Sequence, residues 1–570
     1  MMKTIVCATA LVETSPQALP LGAACIASAL SSCPDIKNEA SVYLEAFSLE
    51  DIAAPDFSQA ASFIAGQLLS RHRDMDFLLL SIYVWNRQVL EECAALIKKE
   101  KPSVIIIAGG CEVTANPLNF KNIDFSISGE GEDSSCQLLQ KLLNIKDQAL
   151  IGEDDFSIQG VYNLKKSYSS GSIRSLMPDV SKLPSPYLDG TLDPASYGGA
   201  LWELARGCPF KCSYCYESKG EKKIQRFSRD RLLKELELFA KKNIAQVFVL
   251  DPTYNADKKM ALDMLNQIKK TAPDIFFYFE ARAEFIDREL SRAFSKVNCA
   301  LQFGLQSSNP EVLKKVNRTF NKEKFVKNIA FLNQDGVIFG FDLIYGLPGD
   351  NLSGFKKSVD FAIRLYPNNL EMFCLSVLPG TDLADSAKDL GLVWQSQAPY
   401  HVIQSSGFSK EDLAQASSFS FAADLFYNKG RAVPWFMSMI NYLHVKPSVF
   451  FEDFENWLKN NEAELFNKRD CNSLDFIQVK EIQKRFTGDY LRKRNCSKAC
   501  NLAWDLIELN GAFSLLTAEG KESVVKLYYH SDDLMSQASL DWNFFIKNAA
   551  PYRNKTKVFK SKNGPDFRIV

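Results

Sequence analysis

Residues 200–220 read ALWELARGCPFKCSYCYESKG, a short apolar run that breaks into a cysteine-rich loop. Within it Cys208, Cys212 and Cys215 form C-x-x-x-C-x-x-C. Three thiolates on one tight loop can hold three corners of an iron–sulfur cube, which normally takes four cysteines. The fourth iron then keeps an open position, as catalytic zinc sites keep one for a reactant. A structural zinc knuckle and three unrelated core thiols are the bland alternatives. Zinc wants a fourth Cys or His close by, and His72, His401, His444 and His530 all lie far from the loop in sequence.

Downstream of the loop, apolar strand-length runs recur at 245–251, 275–282, 300–306, 337–345 and 372–378, with amphipathic stretches such as RDRLLKELELFAKK between them. Together with 200–206 they predict six βα units, a partial, TIM barrel-like βα barrel over 198–400 with its reactive face at the strand ends. Upstream, strands are expected at 4–10, 40–47, 76–83, 103–109 and 124–128, alternating with helices. Near-continuous apolar strands in βα alternation predict a doubly wound parallel sheet over 1–145. Its ligand crevice would lie at the strand carboxyl ends, which read TSPQALPLG, SIYVWN, GGCEVTANP and SGEGED. Residues 146–197 read as a strap between domains, and 401–570 as a third, mainly helical domain. The fold class expected is therefore α/β with a C-terminal mainly α domain.

Composition narrows the function. In 570 residues, 67 Lys and Arg balance 68 Asp and Glu for a net charge of −1. That removes the basic footprint of a nucleic-acid binder, and no apolar run reaches the ~18 residues of a membrane span. The opening MMKTIVCATALVE reads as a buried first strand rather than a signal peptide. Fourteen cysteines in a long chain of this kind point to a reducing, cytoplasmic setting, with most of them as core residues.

The cysteine loop, with the aromatic Tyr214 before its last cysteine, resembles the cluster-binding loop of radical S-adenosylmethionine (radical SAM) enzymes. ALQFGLQS, FDLIYGLPGD and SVLPGTDL are similar to strand-end segments of that superfamily's barrel. The resemblance implies a [4Fe-4S] cluster on Cys208, Cys212 and Cys215, S-adenosyl-L-methionine on its free iron, and a flavodoxin- or ferredoxin-type electron donor. It implies S-adenosylmethionine contacts at Tyr214, Glu280 and Arg282, and ribose or substrate contacts at Gln306, Ser307 and Asp342. Leu347 and Pro348 would line the adenine. Where the family often has Gly-Gly-Glu, this chain has Leu250-Asp251-Pro252-Thr253, and Asp251 or Thr253 is the expected substitute.

Three readings compete for the first domain. A dinucleotide fold needs G-x-G-x-x-G after its first strand, which is absent, and the carboxylates of SGEGED would repel phosphate. A methylthiotransferase-like second cluster needs three N-terminal cysteines, whereas Cys7, Cys25 and Cys93 fall at core positions. The third reading is the cobalamin-binding domain that precedes the barrel in many family members, which LPLGAACIASAL, SIYVWN, GGCEVTANP and SGEGE resemble. It implies contacts from Leu21, Gly22, Ser81, Tyr83, Trp85, Asn86, Gly109, Gly110, Gly129 and Glu130. The small residues would let backbone approach a flat corrin, and Trp85 would cover its lower face. The D-x-H-x-x-G motif is missing, because His72 stands in SRHRDM, so no protein histidine is expected on cobalt.

The function expected is cobalamin-dependent methyl transfer to an unactivated carbon of a substrate the sequence does not name. Radical rearrangement, cyclisation or methylthiolation is the rival within enzymes, and a non-catalytic cluster- or corrin-binding sensor the rival outside them. Cys471, Cys496 and Cys500 leave a further metal site open.

Overall fold

The computed structural model describes residues 2–145, 157–165, 179–219, 224–562 and 564–570. Parts of the expected strap, 146–156 and 166–178, lie outside the described residues.

The N-terminal sheet contains β1 (Lys3–Leu11), β2 (Ala40–Ser48), β3 (Met75–Ser81), β4 (Ile105–Gly109), β5 (Phe125–Ile127) and β6 (Val161–Asn163). Its order is β2-β1-β3-β4-β5-β6, parallel except for β6, which runs antiparallel to β5. Helices α1 (Leu21–Ser32), α2 (Phe57–Arg71), α3 (Arg87–Glu100) and α4 (Gly131–Asn144) cover both faces. Burial on both sides explains why β1 is apolar almost without alternation. The strand order reverses between β1 and β3, the switch point at which such sheets bind ligands.

The central sheet is β7 (Gly199–Trp202), β8 (Gln246–Val249), β9 (Phe276–Ala281), β10 (Cys299–Gln306), β11 (Ile338–Tyr345) and β12 (Asn369–Cys374), all parallel and in sequential order. That is an open βα barrel. Its helices α5 (Arg229–Lys241), α6 (Lys258–Thr271), α7 (Arg288–Phe294), α8 (Lys322–Asp335) and α9 (Leu352–Ile363) begin at Ser228, Asp257, Asp287, Asn321 and Asn351. Each of these side chains accepts a hydrogen bond from a first-turn amide, which satisfies a donor the helix cannot. Alternation decides the faces. Phe277, Phe279 and Ala281 are buried under the helices, while Tyr278 and Glu280 face the lumen and stay more exposed. The run expected as one strand over 200–206 is split, because Ala205–Arg206 leaves the barrel to pair antiparallel with Gln225–Arg226.

The C-terminal part packs α10 (Lys410–Ala423), α11 (Val433–Leu443), α12 (Pro447–Asn461), α13 (Phe476–Lys493) and α14 (Cys500–Glu519) around Phe426, Phe436, Phe450, Phe454 and Phe486. It also holds an antiparallel sheet, β13 (Ser523–Leu527), β14 (Asn554–Ser561) and β15 (Gly564–Ile569), in that order. Of the basic stretch NKTKVFKSKNG, which by charge alone reads as a solvated face, Asn554–Ser561 form β14. Thr556 and Val558 are buried and alternate with Lys555 and Lys557, a period of two that the lysines conceal. Among the described residues no helix is long and apolar enough to cross a membrane.

Candidate functional site

Gly207, with φ of 92°, turns the chain from the Ala205–Arg206 strand into the cysteine loop. The loop is pinned through backbone. The Ser213 amide donates to the Val316 carbonyl at 3.1 Å, and the Leu383 amide donates to the Ser213 carbonyl at 2.8 Å. Cys212 is buried, and Cys208 and Cys215 are half-buried. Burial pushes the Cys215 thiol up to about 11, and the neighbouring Cys212 and Cys208 push it the same way. Burial also raises Cys208. The three sulfurs therefore share one electrostatic neighbourhood, and a metal that bound there would have to displace their protons. Among the described residues no three His, Cys, Asp or Glu side chains converge on a single-ion position.

Two arginines flank the loop. Arg318 donates from Nη1 to the Tyr214 hydroxyl at 3.2 Å and from Nη2 to the Gly304 carbonyl. Burial works against its charge, but Tyr214, Cys212 and Glu284 outweigh burial and hold the guanidinium protonated. Arg282 stacks 3.9 Å over the Phe210 ring and donates to Glu284 at 3.0 Å. Its backbone is held in both directions by the Asn255 amide, and its buried Nε has no partner.

The remaining residues expected to contact S-adenosylmethionine divide by position. Glu280 and Asp342 face the lumen. Burial raises both, Asp342 to about 7, and Gln302 donates to Asp342 at 2.6 Å. Gln306 sits at a bulge in β10 with φ of 65°, and its buried Oε1 has no partner. Its amide lies where a side chain on Gly304 would stand, so the bulge re-aims it along the lumen wall. Asp251 instead ties down the chain ahead of the cysteines, accepting from the Leu204 and Ala205 amides at 2.9 and 3.0 Å. The Thr253 hydroxyl donates to the Pro252 carbonyl, and the Ser307 hydroxyl accepts from the Asn309 amide. Leu347 and Pro348 are buried, Leu347 within the main core.

A cavity of about 720 Å³ lies over the carboxyl ends of β1, β3 and β4, at the switch point. Leu21, Gly22, Ser81, Tyr83, Trp85, Gly109, Gly110, Gly129 and Glu130 all line it. Tyr83 and Trp85 stack with centroids 4.7 Å apart and planes 3° apart. The Trp85 indole donates to the Ala10 carbonyl at 3.2 Å. Asn86 does not line the cavity. Its side chain donates to Thr9, Ala10 and Ser81 and accepts from the Tyr83 amide, so it anchors the loop that carries the two rings. The glycines also serve the protein's own packing. A methyl on Gly22 would come within 2.1 Å of the Tyr83 hydroxyl, and one on Gly110 within 2.4 Å of the Ile82 carbonyl. Gly109 opens freely, with nothing nearer than 4.0 Å. His72 is not in the cavity lining and bonds Glu45 at 2.9 Å.

The far wall of the cavity belongs to the barrel: Leu201, Glu203, Arg206 and Leu250. Arg206 reaches across to Glu132 at 2.8 Å and Glu130 at 3.8 Å, and holds Glu203 at 3.0 Å. Burial would raise Glu132, but Arg206 outweighs it and keeps the carboxyl below its ordinary range. A second junction joins Glu112 to Arg87 at 2.9 Å and to the Tyr400 hydroxyl at 2.7 Å. Sequence reasoning missed Arg206 and Arg318. The surplus of carboxylates in SGEGED was a signal that a cation must meet them, whereas nothing local marked Arg318. In the C-terminal part Cys471 faces Asp424, and Cys496 and Cys500 lie near Tyr442, so the three do not form one set.

A cysteine loop that follows the first strand of an open βα barrel, with a switch-point cavity lined by the residues just ahead of it, defines the class. Residues 202–362 match the Radical SAM superfamily model. The chain thus carries a radical SAM domain, within a fold shared with cobalamin-dependent radical SAM enzymes. It is 25% identical over 361 residues to the cobalamin-dependent radical SAM methyltransferase TokK of Streptomyces tokunonensis, covering 58% of this chain and 51% of that protein. The match therefore spans about half the length of such curated relatives. Among solved structures, the cobalamin-dependent S-adenosylmethionine radical enzyme OxsB with aqua-cobalamin bound superposes with a TM-score of 0.57 at 15% identity, covering 96% of this chain and 85% of that one. The radical S-adenosylmethionine methyltransferase TsrM of Kitasatospora setae, with cobalamin and a [4Fe-4S] cluster bound, gives 0.53 at 14% identity, covering 70% and 82%.

Proposed function

We propose that this chain is a cobalamin-dependent radical S-adenosylmethionine enzyme that transfers a methyl group to an unactivated carbon. One observation carries the reading: Arg206, two residues before Cys208, lines the switch-point cavity, so the chain runs from the cavity wall directly into the three-cysteine loop. The residues fit the groups this requires. Cys208, Cys212 and Cys215 are a soft donor set suited to an iron–sulfur cluster. The unpartnered Arg282 Nε and the charged Arg318 are cations suited to a methionine carboxylate. Glu280, Gln306 and Asp342 offer hydrogen-bond acceptors along the lumen for a ribose or a substrate. A cavity of about 720 Å³ is in the upper part of the ~300–1,000 Å³ range of ligand sites. The Tyr83–Trp85 stack gives it a flat aromatic face, and no histidine lines it.

When bound, the cluster, S-adenosylmethionine and a methylated corrin together supply a carbon-centred radical and a methyl donor. The chain's own residues position and enclose them. Arg206 fixes the cavity against the cysteine loop, Arg318 fixes Tyr214 beside the thiolates, and the docked domains keep water from the shared mouth. An electron donor of flavodoxin or ferredoxin type belongs to the same proposal.

The test is anaerobic reconstitution with iron, sulfide and hydroxocobalamin, followed by reductant and S-adenosylmethionine. Formation of 5′-deoxyadenosine and stoichiometric retention of corrin are expected. If 5′-deoxyadenosine does not form, the enzymatic reading falls; if it forms without retained corrin, the methyl-transfer reading falls.

A further inference from the structure

The C-terminal sheet carries a feature that the proposed chemistry does not use. β13 lies at the edge of that sheet: β14 pairs with one side, and among the described residues no strand pairs with the other. A free strand edge presents backbone N–H and C=O groups able to pair with another chain. Beside it lies a groove of about 1040 Å³, lined by Ser523 through Tyr528 and by one stripe each of α13 and α14. Four large apolar side chains in its lining stay mostly in solvent: Ile477 and Val570 are 58% exposed, Val524 54% and Tyr552 52%.

The charges in the groove do not cancel. Lys480 and Lys484 both meet Glu508 at 2.6 Å, and Lys484 also reaches Glu481 at 3.6 Å, so this cluster is balanced. Asp505 spends its carboxylate on the backbone amides of Tyr528 and Tyr529. Lys526, Lys555 and Arg553 also line the groove, and among the described residues none of them has a carboxylate partner. Lys526 and Lys555 are directly opposite on β13 and β14, and like charges in that register destabilise a sheet. The arrangement suits a ligand that supplies negative charge, apolar side chains and backbone hydrogen-bonding groups together.

We propose that this groove docks an extended acidic peptide segment, with apolar residues at alternate positions, as a fourth strand on β13. Main-chain pairing gives such a segment its affinity, and pockets for alternate side chains give it specificity. Its carboxylates would share the face of the sheet that carries Lys526, with Lys555 opposite, and its apolar side chains, which point the other way, would meet Ile477 on α13. A single-stranded nucleic acid would use the cations but leave the strand edge unpaired, so the peptide accounts for more of the site. That the docked segment belongs to the substrate rests on the methyltransferase reading; the docking itself does not.

The experiment is fluorescence anisotropy on the full chain without cofactors, so its outcome is independent of catalysis. The probe is a fluorescein-labelled nonapeptide alternating glutamate with valine. Comparators are the same peptide N-methylated at alternate backbone nitrogens, its lysine-for-glutamate counterpart, a 12-nucleotide oligouridine, and phosphatidylglycerol–phosphatidylcholine vesicles. Saturable, salt-sensitive binding of the acidic probe is expected. It should weaken about tenfold or more in Lys526→Glu/Lys555→Glu and by a smaller factor in Lys526→Gln/Lys555→Gln, as loss of facing charges predicts. N-methylation should weaken it comparably. Absence of binding, equal binding of the N-methylated peptide, or tighter binding of oligouridine or vesicles overturns the proposal.

Discussion

Replacing Arg206 with methionine tests the junction between the two sites. The substitution keeps most of the volume and removes the cation that Glu132, Glu130 and Glu203 surround. Arg206 and Glu132 are 18% and 6% exposed at the side chain, so solvent screens their pairing only weakly. Removing one partner of a buried ion pair costs ~3–5 kcal/mol, because the other charge is left uncompensated. With Glu130 farther away and the junction at a domain boundary, about 3 kcal/mol is expected near pH 8. The pH dependence gives the sharper signature. In the native chain Glu132 has a lowered folded-state pKa, so its contribution is present above the unfolded carboxylate value and lost as pH falls through the lower folded value. Without Arg206, burial alone raises that carboxyl, and the variant regains stability as falling pH protonates it. The assay is guanidinium unfolding of the metal-free chain, read by tryptophan fluorescence, at pH 8 and pH 5.5. The deficit should shrink at pH 5.5, and Arg206→Met/Glu132→Gln should recover much of it at pH 8. A deficit below about 0.5 kcal/mol at pH 8, the size of an ordinary surface substitution, would refute the reasoning. So would a deficit unchanged between the two pH values.

Single alanine substitutions at Cys208, Cys212 and Cys215 should each abolish the visible iron–thiolate absorbance of the reconstituted chain, with iron analysis as the check. Gly22→Ala should displace Tyr83 from its stack on Trp85 at a cost of ~1–3 kcal/mol, typical of overpacking, and should lower hydroxocobalamin retention measured after gel filtration. Asp251, raised to about 7 by burial, binds a proton on folding between its unfolded value and about 7, so it lowers stability as pH rises through that window. Asp251→Asn should remove up to ~1.4 kcal/mol per pH unit of that slope, read from unfolding midpoints across pH 4.5 to 7. An unchanged slope would mean that Asp251 does not titrate there.

The βα alternation made both parallel sheets legible, because buried parallel strands are apolar throughout and the helices between them are amphipathic. The cysteine spacing marked the loop for the same reason of locality: its three thiols lie within eight residues. What stayed hidden depends on contacts between distant segments. Arg206 acquires its role only when α4 of another domain docks, and Arg318 only when the chain after β10 meets the cysteine loop. Asp251 occupies an expected contact position by sequence, yet two backbone amides claim its carboxylate. Asn86 likewise belongs to a cavity motif but spends its amide behind the cavity wall. The β14 strand escaped notice because its outward positions are lysines, and a charge pattern masked a strand pattern.

Because Leu201, Glu203, Arg206 and Leu250 close the switch-point cavity from the barrel side, the pocket is complete only in the assembled chain. The N-terminal sheet has two cores of its own, but a ligand captured before docking would meet an open wall. Loading should therefore follow domain assembly during biosynthesis. An N-terminal domain transplanted onto a foreign barrel would need these four residues carried with it.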